Sequence, residues 1–162
     1  MDPNAPEVVA PGDIPDNQVF VTYRDASGIF SVDVPEGWAR SVVGATVSFT
    51  DKYNSIEISS VAASAAPTEA SLRATGLVDV TSDPTFALDN VTTVQRKGGS
   101  GLLATYTIGS APNDVTGKKA LLAVERYVFF HSGTSVVLTL SGAQGADNVD
   151  PWRTVTDSLT WL

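Results

Sequence analysis

Two opposite charges, Glu125 and Arg126, stand side by side in the most apolar stretch of the chain, Ala120 to Phe130. Burying a charge is expensive unless it is paired, so this is the first place to look for chemistry. Adjacent residues of a strand point to opposite faces, which prevents the two from forming one acid–base dyad. Each is instead expected to meet an opposite charge under a helix or at a groove, in a structural role rather than as a ligand contact. His131, the only histidine, follows at the edge of the turn Phe130-His131-Ser132-Gly133. A Ser-His-Asp triad would have to be built on it, yet Gly98-Gly99-Ser100-Gly101 lacks the Gly-x-Ser-x-Gly spacing of a nucleophile elbow. One histidine also falls short of a typical catalytic zinc site, so His131 reads as a turn residue.

Other segments imitate known sites without completing them. Thr116-Gly117-Lys118 suggests a phosphate loop, but Pro112 stands where the first glycine belongs and Lys119 where the hydroxyl belongs. It reads as a strand connection. Asp147-Asn148-Val149-Asp150 begins like a calcium loop, then lacks the glycine at the sixth position and the distal glutamate; helix capping explains it better. Trp38, Trp152 and Trp161 could line a pocket, although aromatics at element ends more often form the edge of a core. The chain has no cysteine, which removes disulfides, thiol catalysis and sulfur-ligated zinc. The reading therefore assigns no catalytic, metal-ligating or cofactor-binding residue, no cofactor, and no enzyme.

The elements that position these residues follow from composition and period. A chain of 162 residues suits one domain, burying roughly 68–70% of the surface its unfolded form exposes. Hydrophobic residues make up 43% and charged ones 17%, so the composition is that of a folding chain. The net charge of −8, with no run of cations longer than two, argues against a nucleic-acid partner, since counterion release needs clustered Lys and Arg. No apolar run approaches the length of a membrane span. Residues 1–18 hold four prolines, Asp2, Glu7, Asp13 and Asp16 with no cation, and read as an extended linker ahead of one domain over 19–162. Such a tail is what remains after removal of an export signal, or else an ordinary frayed terminus.

From Val19 the dominant period is two. Strands are expected over Val19–Tyr23, Ile29–Val34, Thr46–Thr50, Ser55–Val61, Val91–Arg96, Gly101–Ile108, Ala120–Phe130 and Thr134–Ser141, with the clearest hairpin at Ser132-Gly133. The strand Ala120–Phe130 is apolar on both sides and so needs cover above and below. A short helix is expected over Pro67–Leu77, with Leu72 and Leu77 as its apolar side. A second begins with Asp150 as N-cap and Pro151 at the first position, and presents Trp152, Val155, Leu159 and Leu162 as one stripe. The expected class is α+β: a twisted, mainly antiparallel sheet with helices packed on it.

Specific residues then add a likeness. Phe30-Ser31-Val32-Asp33-Val34-Pro35-Glu36-Gly37-Trp38, Ala123 to Phe130, and Asp150-Pro151-Trp152-Arg153 resemble actinobacterial lipoproteins of unknown function with the PsbP-like fold, from about Pro11 to Trp161. The resemblance implies an α/β/α sandwich, export to the cell envelope, and action by binding, as in an accessory subunit of a photosystem or a nuclear-transport factor. It brings no catalytic residues. The lipidated cysteine of such lipoproteins is missing, so either a lipid anchor and signal lie upstream of Met1 or the protein is secreted. The resulting expectation is a non-catalytic extracytoplasmic domain, membrane-anchored or secreted. It would bind an envelope protein or polymer through its sheet edge and loops, with a carrier of a small apolar ligand between helix and sheet as the alternative.

Overall fold

The computed structural model describes residues 13–112, Gly117 and residues 119–162. Within them, β1 (Phe20–Arg24), β2 (Phe30–Pro35), β3 (Ala39–Val43), β4 (Thr46–Asp51) and β5 (Asn54–Ala62) are followed by a helical segment. That segment comprises α1 (Glu69–Ser71), a π-helical turn over Leu72–Gly76, and α2 (Val78–Thr81). Then come β6 (Ala87–Arg96), β7 (Gly99–Gly109), β8 (Leu121–His131), β9 (Thr134–Ala143), α3 (Val149–Asp157) and β10 (Thr160–Trp161). The strands form a seven-stranded sheet, β3-β4-β5-β9-β8-β7-β6, and a three-stranded sheet, β1-β2-β10. Every pairing is antiparallel.

The period-two pattern assigns the two faces of the large sheet. Val47, Phe49, Ile56, Ile58, Tyr127, Phe129, Val136, Leu138 and Leu140 share one core with Phe30, Val32 and Val34 of the small sheet and with Trp152, Val155 and Leu159. Val91, Leu102, Ala104, Tyr106, Val124 and Val128 form a second core on the opposite face, under Leu72 and Leu77. Strand β8 contributes to both, as its two-sided apolar pattern requires. The α/β/α order with a mainly antiparallel sheet is thus what the chain adopts, with a small helical part. The β8–β9 turn takes positive φ at both Ser132 and Gly133, which suits the right-handed twist of the strands it joins.

Several elements differ from the sequence reading. Of the linker expected over 1–18, residues 1–12 lie outside the described residues. The rest is docked: Ile14 is 5% exposed in the core, its N–H donates to Asn148 Oδ1 at 3.0 Å, and Asp13 Oδ1 accepts from the Asp147 N–H at 2.9 Å. One isoleucine among prolines and acids carries no period that could announce this. Strand β3 was not expected, because all five of its residues are exposed and nothing in them alternates between core and solvent. The helix expected over Pro67–Leu77 is broken by the π-helical turn and runs on to Thr81, although Leu72 and Leu77 are buried as expected.

The last helix starts at Asn148 rather than Asp150, placing Pro151 in the first turn but not at its first position. Asn148 makes no cap bond, because its side chain bridges the Ile14 N–H and Asn54 Oδ1 instead. The helix also ends before the expected stripe does. Ser158 Oγ donates to Val155 O at 2.6 Å and accepts from the Asp33 N–H at 2.7 Å, so the chain turns off to pair Trp161 with Phe30 as β10. Leu162, expected on the stripe, is 54% exposed.

Candidate functional site

Arg126 and Glu125 point to opposite faces, and their surroundings show what each does. Arg126 lies beneath the helical segment, where Nη1 donates to Gly76 O at 2.8 Å and to Asp79 Oδ1 at 2.7 Å, and Nη2 donates to Asp79 Oδ2 at 2.8 Å. Nε reaches Thr139 Oγ1 at 3.3 Å, and the guanidinium sits 5.8 Å from the centre of the Tyr106 ring. Burial opposes the Arg126 charge, but the bonds to Asp79 hold it protonated, with its pKa above the usual arginine value. Those same bonds keep the Asp79 carboxyl below the usual aspartate range. The expectation of an opposite charge under a helix holds for Arg126, which is a latch for that helix and leaves little donor capacity for a ligand.

Glu125 meets a hydroxyl instead. Tyr127 Oη donates to Glu125 Oε2 at 2.8 Å and accepts from Arg96 Nη2 at 3.1 Å, while Arg96 Nε donates to Thr156 Oγ1 at 3.0 Å. The expected opposite charge is thus one residue removed, because the i, i+2 neighbour on the same strand face comes between. Burial, reinforced by the Glu125 charge, pushes the Tyr127 phenol up to about 12.

A cleft of about 770 Å³ opens where the C-terminal end of α3, the β10 edge and the β6–β7 turn converge. Its walls are locked by hydrogen bonds. The Lys97 N–H donates to Asp157 Oδ1 at 3.2 Å, Trp161 Nε1 donates to Gly98 O at 3.3 Å, and Arg153 Nε donates to Asp157 Oδ2 at 2.8 Å. The turn can approach this closely only because residue 98 is glycine: a Cβ there would stand 2.6 Å from Leu159 O. Asp33, held by the Thr22 hydroxyl at 2.9 Å, faces the same space. The cleft therefore presents two cations, Lys97 and Arg153, two carboxylates, several hydroxyls and the half-buried Trp161. Such a set can bind and orient a polar partner.

His131 is exposed at the β8 end as expected, with its ring 5.1 Å from that of Trp161. Asp147 begins the approach to α3 and is tied to Asp13, while Thr116 and Lys118 of the discarded phosphate loop fall outside the described residues. Trp38 packs at the edge of the first core as expected, whereas Trp161 also lines the cleft. The sequence reading did not single out Lys97, Arg153 and Asp157. The i, i+4 spacing of Arg153 and Asp157 was a usable signal, but the convergence of a turn, a helix end and a two-residue strand was not.

Comparison with known proteins agrees with this fold. The cyanobacterial PsbP protein of Synechocystis superposes with a TM-score of 0.64 at 16% identity, covering 94% of this chain and 99% of its own. The Ran-binding protein Mog1p of Saccharomyces cerevisiae gives 0.58 at 10% identity, covering 88% and 95%. A Pseudomonas aeruginosa protein of unknown function gives 0.53 at 16% identity, covering 87% and 96%. No functionally curated protein matches the sequence. The sequence of residues 18–101, just over half of the chain, matches the PsbP family, and the chain belongs to that family.

Proposed function

We propose that this chain is a non-catalytic binding or accessory domain that works outside the cytoplasm and receives a polar partner, protein or polymer, in the cleft between α3, β10 and the β6–β7 turn. The observation that carries the reading is that the cleft is preformed: its walls are pinned to each other, while Lys97 and Arg153 remain exposed. A neighbour of this fold described as Ran-binding supports the binding class. The extracytoplasmic placement rests on the resemblance of Pro35-Glu36-Gly37-Trp38 and Asp150-Pro151-Trp152-Arg153 to envelope lipoproteins.

Photo-crosslinking tests the cleft directly. A crosslinker at Thr154, exposed at its rim, is expected to give a discrete adduct in cells, and one at Thr50 on the far part of the sheet is not. Equal adducts at both positions, or none at Thr154, would remove the cleft from the proposal. Protease added to intact cells should degrade the domain; protection from it would remove the extracytoplasmic placement. Screens with esters, phosphates and glycosides should show no turnover that depends on His131. A real activity falling roughly 100- to 10,000-fold in His131→Ala would overturn the non-enzyme reading.

A further inference from the structure

The charged groups of the cleft between α3, β10 and the β6–β7 turn are not equally engaged. Asp157 has both oxygens bonded, Oδ1 by the Lys97 N–H and Oδ2 by Arg153 Nε. The cations are left over. Lys97 enters the fold through its backbone N–H, and its ammonium makes no hydrogen bond or ion pair among the described residues. Arg153 uses Nε alone, so Nη1 and Nη2, on a side chain 57% exposed, remain able to fork onto a carboxylate.

The neutral groups of the cleft add an independent observation. A hydroxyl has one proton to donate, and Thr22, Thr154, Ser158 and Thr160 each donate theirs inside the protein, to Asp33 Oδ1, Asp150 O, Val155 O and Ser158 O. Toward an occupant such oxygens can only accept, as can the second oxygen of Asp33. Charged donors and acceptors thus line one cleft, and their complement is a molecule that carries both carboxylates and N–H groups. The groove across β6, β7 and β8 has no Lys or Arg in its lining, and in the one beside the helical segment Arg126 is already held by Asp79.

A peptide with acidic side chains supplies both kinds of group. A neutral sugar would take nothing from the two cations, a phosphate or sulfate polymer brings no N–H to the acceptors, and a basic partner would meet two like charges. The net charge of −8 does not forbid an acidic partner, because a screening length of about 8 Å at physiological ionic strength mutes distant charges while Lys97 and Arg153 act at contact. We propose that the cleft receives an acidic segment of a protein partner, with its carboxylates on Lys97 and Arg153 and its backbone N–H groups on Asp33 and the hydroxyl oxygens. This rests on the cleft being the binding site, as argued above.

Nuclear magnetic resonance tests it through the indole N–H signals of Trp38, Trp152 and Trp161, assigned with single Trp→Phe variants. End-blocked tetraglutamate, tetraglutamine and tetralysine, and inorganic tripolyphosphate, are titrated separately at millimolar concentrations. The expected result is a saturable shift of the Trp161 signal with tetraglutamate, well above that with the other three, while Trp38 and Trp152 stay in place. Lys97→Gln keeps the backbone N–H that the fold uses and should weaken that binding roughly fivefold. No saturable Trp161 shift with tetraglutamate, an equal response to tetraglutamine or tripolyphosphate, or an affinity unchanged by Lys97→Gln would overturn the proposal. Crosslinking at Thr154 separates the two ideas: an adduct in cells without a tetraglutamate response removes the acidic segment and leaves the cleft, and loss of both removes both.

Discussion

The two faces of the large sheet are closed in different ways. On one, α3 and the small sheet supply large apolar side chains, flanked by hydrogen bonds such as Arg96 to Thr156 and Asn148 to Asn54. On the other, a few helical residues interrupted by a π-helical turn cover β6 to β8, and a guanidinium pins them in place. The first face is closed mainly by a large apolar area, with hydrogen bonds at its margins. The second shows that a helix too short to be stable alone can be held by one buried arginine that satisfies a side-chain carboxylate and a backbone carbonyl together.

The comparison breaks most severely at Trp152. Trp152→Ala removes a nearly fully buried ring from the hydrophobic face and should cost about 3–5 kcal/mol in chemical denaturation. A loss below about 1 kcal/mol would place that ring on the surface instead. On the other face, Arg126→Ala should cost about 3 kcal/mol, the lower end for a broken buried pair, since the Asp79 side chain is 60% exposed and rehydrates freely. Arg126→Met would sharpen the point. If the latch matters for ordering the helix and not only for stability, Met should restore much of the lost free energy while hydrogen exchange in Leu72–Thr81 stays fast.

Asp79→Asn should cost about 1 kcal/mol at neutral pH, discounted because the group is largely solvated. Asp79 has its carboxyl held below the ordinary 3.8, chiefly by the bonds from Arg126. A depressed folded pKa gives stability that is complete above the unfolded value and disappears as pH falls through the folded one. The difference between Asp79 and its Asn variant, followed by thermal melts, should therefore be constant above about pH 5 and shrink below about pH 4. The smallest effect concerns the bare edge of the sheet. Val43→Lys on β3 should leave stability within about 0.5 kcal/mol, because that side chain is 76% exposed, and should lower any self-association seen by light scattering.

Most strands were legible because their burial alternates, as in Ile56 and Ile58 against Glu57. β3 and β10 were not, one being wholly exposed and the other two residues long. The residues of α2, Val78-Asp79-Val80-Thr81, have three β-branched members and poor helix propensity, so tertiary contacts, the bond to Arg126 and the packing of Val80, hold their conformation. The site was less legible still. Period placed Glu125 and Arg126 on opposite faces, but a glycine that admits the β6–β7 turn to the end of α3 depends on a close approach between distant segments.

The hydrogen-bond chain from Arg96 through Tyr127 to Glu125 has a direction that cannot be reversed. An arginine only donates and an ionised carboxylate only accepts, so the phenol between them has a single permissible rotor state. With its pKa near 12, that phenol keeps its proton at every pH a cell meets. Because Arg96 is also tied to Thr156 of α3, the chain fixes one carboxylate oxygen on the sheet relative to the helix across from it. The Glu125 carboxylate is thereby held in one orientation, so its rotational entropy is lost once, during folding.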